Sequence, residues 1–222
     1  MKSIIYTFIL FAGTATAAAS GHLKLMSRAS SQSITPHDSF SSSVGVLGCH
    51  INTNRVAYWP SEVSCDDICV KVAYGGRSLH LLKIDRSGGA HDISYDAWNY
   101  LVFGKSAKDE PHMGGGVQMI TEVVPVSECS DLLHNGKLPV SAPNSVNYIA
   151  NCLEQPKSFV AKNYEFINML DSSCKSGYDE VCTFDLATSN QPQCPHQLGV
   201  AHAPTGQKVV NIEYGTGKEV IA

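Results

Sequence analysis

Two acidic residues close in sequence, Asp85 and Asp92, are the side chains of this chain best suited to do chemistry. Cleavage of a glycosidic bond needs two carboxyl groups, one to protonate the leaving oxygen and one to act as base or nucleophile, about 5 to 9.5 Å apart depending on stereochemistry. Each also has an ordinary structural use. Asp85 precedes Ser87-Gly88-Gly89 and suits a turn, and Asp92 lies just ahead of a short amphipathic segment whose exposed amides it could bond. Around them stand aromatic residues able to stack on sugar rings: Tyr58, Trp59, Tyr95, Trp98 and Tyr100. Trp98 sits on a segment too short to stay helical without burying something, so it reads first as core. Tyr58 and Trp59, at a strand end, read as a groove wall.

Other chemistries lack their residues. The nine histidines form neither His-x-His nor His-x-x-x-His, and no Cys-x-x-Cys pair occurs, so no metal and no cofactor are expected. Without a Gly-x-Ser-x-Gly elbow there is no basis for an esterase. The triplet Gly114-Gly115-Gly116 is not followed by a helix and reads as a turn rather than a phosphate cradle.

The elements that would position the two carboxylates are short. Residues 70–74 and 78–85 read as strands joined at Gly75-Gly76, a pair suited to the positive φ angles of a tight hairpin. Residues 95–101 read as a short helix with Ser94 at its cap position. Upstream, residues 55–60 end a strand in Tyr58-Trp59-Pro60. Downstream, a strand over 117–126 leads to Cys129. One or two helical turns follow over 127–134, stopped by Asn135-Gly136. Pro143 opens a helix in which Val146, Ile149, Ala150 and Leu153 share a face. From about residue 159 onward the chain reads as strand and loop, closing in a hairpin over 209–222 that turns at Gly215-Thr216-Gly217.

This order, with Cys69-Val70-Lys71-Val72, Leu82-Lys83-Ile84-Asp85 and His91-Asp92-Ile93-Ser94 followed by Trp98, resembles the double-psi β-barrel of expansins, barwin-like proteins, rare lipoprotein A-like proteins and family 45 glycoside hydrolases. The resemblance implies a mainly β fold: a six-stranded double-psi β-barrel with short helices, over residues 44 to about 130. A disulfide-pinned extension from about 131 would supply closing strands and a cover. It marks Asp92 as the family's acid. It also places Pro60 after Arg55-Val56-Ala57-Tyr58-Trp59, where the hydrolases carry a second catalytic Asp, and proline cannot activate water.

Residues 1–19 have the form of a secretory signal: Lys2, an apolar run from Ile4 to Ala12, then small residues through Ala19. Residues 20–43 are Ser-rich without apolar periodicity and read as a flexible leader, followed by one domain over 44–222. Eight cysteines, Cys49, Cys65, Cys69, Cys129, Cys152, Cys174, Cys182 and Cys194, suit up to four disulfides in an oxidising compartment, with the pairing open. No Asn-x-Ser/Thr sequon is present. A formal charge of −4 with 16% charged residues gives no basic face for nucleic acid or anionic membrane. The expected protein is a secreted monomer, extracellular or in the cell wall. Its expected function is non-catalytic binding or loosening of polysaccharide (chitin, cellulose or β-glucan). The alternatives are an effector or defence-related factor contacting an extracellular host protein, as in small secreted proteins of filamentous fungi, and a weak glycoside hydrolase or lytic transglycosylase.

Overall fold

A computed structural model describes residues 29–204, 206 and 208–222. The signal sequence expected over 1–19 lies outside the described residues. Six strands close into a barrel: β1 (Ser30–His37), β2 (Val56–Trp59), β3 (Cys69–Tyr74), β4 (Arg77–Arg86), β5 (His91–Ser94) and β6 (Val117–Val123). Around the barrel the order is β1-β5-β2-β4-β3-β6, with β6 returning to β1. The β1/β5 and β2/β4 pairs are parallel, and the remaining pairs are antiparallel.

The hairpin read from the sequence is present. Gly75 and Gly76 both have positive φ, 56° and 80°, the conformation a two-residue turn demands and β-carbon-bearing residues resist. Strand alternation sorts the side chains. Ile34, Ala57, Val70, Val72, Leu81, Ile93 and Met119 are fully buried and form the barrel interior with Trp59. The alternate positions Val56, Leu82 and Ile84 face outward, yet they too are buried, in a second core shared with the C-terminal half.

The Ser-rich stretch expected as a flexible leader is corrected here. Residues 30–37 form β1, which pairs with β5 over Ile34–His37 and with β6 over Ser30–Ile34. Serine-rich composition hides this because only Ile34 is fully buried, while the rest of the strand is exposed or half-buried. It follows that residues after 131 do not close the barrel. They build a second sheet of β7 (Leu138–Ser141), β8 (Tyr164–Met169) and β9 (Gly177–Cys182), with β7 and β8 parallel and β9 antiparallel to β8.

Among the described residues three α-helices accompany the sheets: α1 (Tyr95–Phe103), α2 (Val146–Leu153) and α3 (Phe159–Lys162). In α1 Ser94 holds the cap position but makes no capping bond, contrary to expectation, and its hydroxyl is buried without a partner. The far end of α1 is secured instead. Gly104, at φ 82°, donates to Tyr100 O, and the Arg77 guanidinium donates to Leu101 O and Val102 O. A terminal hairpin, β10 (Val210–Ile212) with β11 (Glu219–Ile221), completes the fold.

All eight cysteines are paired, as Cys49–Cys174, Cys65–Cys152, Cys69–Cys129 and Cys182–Cys194. The first two tie the barrel half to the second-sheet half. In the chain-entropy account a longer bridged loop restrains the unfolded chain more. Cys49–Cys174 spans 125 residues and Cys182–Cys194 spans 12. Replacing the first pair by alanine is therefore expected to cost about 2 kcal/mol more than replacing the second. Denaturant unfolding of the two double variants measures the difference, and equal losses would contradict the assignment.

Candidate functional site

Strand registers set four side chains in a row across the outside of the barrel wall. Thr35 on β1 aligns with Asp92 on β5, Asp92 with Tyr58 on β2, and Tyr58 with Asp85 on β4. The fold thus does bring Asp85 and Asp92 to one face, on either side of Tyr58. Their strands are two spacings apart, roughly 9.5 Å from backbone to backbone, so they share no proton, and the Tyr58 ring stands between them.

The two carboxylates are differently occupied. Asp85 accepts from the Ser41 hydroxyl, the Ser43 N–H at 2.7 Å and the Arg86 N–H at 2.8 Å. Around it the Ser42 hydroxyl donates to Ile84 O, and the Ser43 hydroxyl accepts from Arg86 N–H. Asp85 is an anchor for the chain leaving β1. It is not the turn residue that its place before Ser87-Gly88-Gly89 suggested. Asp92 is half-buried, and among the described residues its carboxylate has one hydrogen-bond donor, the Thr35 hydroxyl. Gly116 lies against β1: a β-carbon there would collide with the Ser33 hydroxyl and only touch the Thr35 methyl.

Tyr58 is shaped by both acids. Burial pushes its phenol up, the Asp85 charge pushes it further, a backbone N–H of Ser41 opposes, and the Asp92 charge adds to the rise. The His37 ring lies 4.7 Å from the Tyr58 ring. Beside them a recess of about 10 Å³, lined in part by His37, Tyr58, Ser94 and Asn211, has room for about one water and none for a sugar ring.

The reading of Tyr58, Trp59, Tyr95 and Trp98 as polysaccharide contacts is corrected, while the first reading of Trp98 as core holds. Tyr58, Trp59, Tyr95 and Trp98 are 3%, 8%, 1% and 1% exposed, and a ring with no accessible face cannot stack on a sugar. Each has internal work. Trp59 fills one end of the barrel edge-on to His91, with ring centroids 5.1 Å apart. The Tyr95 hydroxyl donates to His112 O and accepts from Gly215 N–H, holding two loops together. Trp98 packs so closely on Gly114 that a β-carbon there would collide with its ring.

Sequence reasoning passed over two buried ionisable groups. Asp96, inside α1, pairs with Arg55 at 2.8 Å and accepts from the Ser106 hydroxyl and the Ala107 N–H, fixing the loop after α1. The signal for it was an acidic residue in the first turn of a helix beside apolar neighbours. Lys83 is 5% exposed, on the inward-facing row of β4. Its ammonium donates to Ser61 Oγ and Glu62 O, and burial lowers its pKa. No sequence signal separated it from an exposed strand lysine. Among the described residues no group of three or more His, Cys, Asp or Glu side chains is placed to hold a metal, and no helix is long and apolar enough to cross a membrane.

No protein-family model and no curated protein matches the chain. Among solved structures it is similar to the Streptomyces papain inhibitor, with 15% identity and a TM-score of 0.29, over 44% of this chain and 96% of that one.

The unequal occupancy of the carboxylates predicts unequal substitutions. Asp85→Ala strands three donors and should cost about 1–3 kcal/mol, whereas Asp92→Asn keeps an acceptor for Thr35 and should change stability by less than about 0.5 kcal/mol. Chemical denaturation of the two variants tests this, and a larger loss for Asp92→Asn would refute it.

A second prediction concerns pH. Tyr148, like Tyr58, has its phenol raised by burial. A raised folded-state pKa gives stability that is fully present below the unfolded value of about 10 and lost as pH rises above it. Each such phenol should steepen the fall by about 1.4 kcal/mol per pH unit above that point. Denaturant midpoints between pH 8 and 11 should fall less steeply in Tyr58→Phe; an unchanged slope would show that Tyr58 ionises freely in the folded protein.

Proposed function

We propose that this is a secreted protein on a double-psi β-barrel that holds extracellular polysaccharide without cleaving it, through hydrogen bonds at the Thr35–Asp92 pair rather than ring stacking. The observation that carries the reading is the difference between the carboxylates. Asp92 is partly exposed and singly bonded, while Asp85 is consumed by three donors. A carboxylate bonded once retains acceptor capacity for sugar hydroxyls. Hydrolysis with inversion would need a second carboxylate to activate water, and neither Asp85 nor Pro60 can serve. The two parallel pairs within a closed six-stranded barrel support the double-psi type, and four disulfides suit an oxidising compartment.

A second reading, a secreted effector or defence-related factor that binds a protein on this rigid scaffold, draws on the burial of all four candidate aromatics, which leaves no stacking platform around the row. Co-sedimentation with insoluble chitin, cellulose and β-glucan separates the two. Retention on at least one polymer is expected, weakened roughly three- to tenfold in Asp92→Ala, with no release of reducing ends. Retention on none would favour the protein-binding reading. Turnover that Asp92→Asn abolishes would overturn both and make Asp92 a catalytic acid, as in a weak hydrolase or a lytic transglycosylase.

A further inference from the structure

A cleft of about 400 Å³ opens between the first turn of α2 and the loop bridged by Cys182–Cys194, a volume within the range of small-molecule sites. It shares no residue with the Thr35–Asp92 row. Four primary carboxamides line it: Asn144, Asn147, Asn190 and Gln191. Pro143, Val146 and Leu198 supply apolar wall between them, and no lining residue carries a charge.

The walls are held from behind. The Asn144 amide donates to Ser141 Oγ and Leu170 O, which fixes its side chain and leaves its carbonyl oxygen for a ligand. Opposite, the Cys182–Cys194 bridge and the paired bonds between Thr183 and Gln193 close the base of the loop that carries Asn190 and Gln191. Pro192, at the foot of that wall, is buried. The side-chain amides of Asn147, Asn190 and Gln191 bond to none of the described residues. Each offers two donors and a carbonyl acceptor.

We propose that this cleft is a subsite for a neutral pyranose unit, an inference that rests on the polysaccharide reading and names where a sugar residue of the polymer sits. An uncharged lining gives phosphate, uronate or amine groups no ion-pair partner to offset their desolvation. Carboxamides bond hydroxyl groups as donor and acceptor at once, and the apolar wall suits the C–H faces of a sugar ring.

The test is NMR titration of the intact, ¹⁵N-labelled protein with cellohexaose, chitohexaose and laminarihexaose, using tetraglycine as a main-chain peptide probe. The side-chain NH₂ signals of Asn147, Asn190 and Gln191 are expected to shift with at least one oligosaccharide and not with tetraglycine. Asn147→Ala/Gln191→Ala should weaken that binding roughly tenfold with the melting temperature unchanged. Shifts confined to Thr35 and Asp92 would overturn the subsite while leaving the polysaccharide reading in place. Shifts confined to the cleft would support the subsite and overturn the row as the binding surface. Shifts with tetraglycine alone would overturn the sugar assignment in favour of peptide, and no shift with any probe would overturn the subsite and the polysaccharide reading together.

Discussion

The structure depends on β1 lying between β5 and β6. A sheet of five strands would expose two edges of unpaired N–H and C=O groups and open its interior to water. β1 satisfies both edges, parallel to one neighbour and antiparallel to the other, and sets Ile34 against the apolar residues of the interior. Its polar composition is compatible with this place because the buried Thr121 finds the Ser30 hydroxyl and carbonyl within reach. The chain that follows then curls back so that Ser41, Ser42 and Ser43 grip the end of β4 through Asp85 and Ile84 O. Closure and the fate of Asp85 are thus one arrangement.

The barrel wall serves two cores. Along β4, Leu81, Leu82, Lys83 and Ile84 are all buried, a continuous run that arises when both faces of a strand are covered. The inward positions meet Val70 and Ala57; the outward ones meet the second sheet and its helices. Lys83 is the exception among these apolar neighbours, and its ammonium is accommodated by Ser61 and a backbone carbonyl. The Cys49–Cys174 and Cys65–Cys152 bridges fasten the two halves across the outer core.

That construction bears on function by removing candidates. Residues whose types invite a sugar-binding or catalytic role, Tyr58, Trp59, Tyr95, Trp98 and Asp85, are spent on packing and loop anchoring. Asp92 keeps spare acceptor capacity because its strand neighbour offers it a single hydroxyl.

The sequence by itself determined whatever rests on local rules. Gly75-Gly76 demands a tight turn because only residues free of a β-carbon take positive φ cheaply, and the alternation in 70–74 and 78–85 specifies a two-faced hairpin. The spacing of Val146, Ile149, Ala150 and Leu153 specifies one face of α2, on which Ile149 is buried and Val146 and Leu153 pack partly buried against the core. An even cysteine count specified disulfides without their partners, since bridges spanning 60 to 125 residues are chosen by the folded topology. Tertiary structure alone decided that a serine-rich segment is a barrel strand, because pairing on both sides stabilises a backbone whose side chains contribute little burial. It also decided that Tyr58 and Trp59 are covered, since strand alternation sends one outward and one inward and a second core lies over the outer face. Whether a carboxylate is free or committed is likewise a tertiary matter: Asp85 and Asp92 look alike in the chain and differ only in how many donors the fold aims at them.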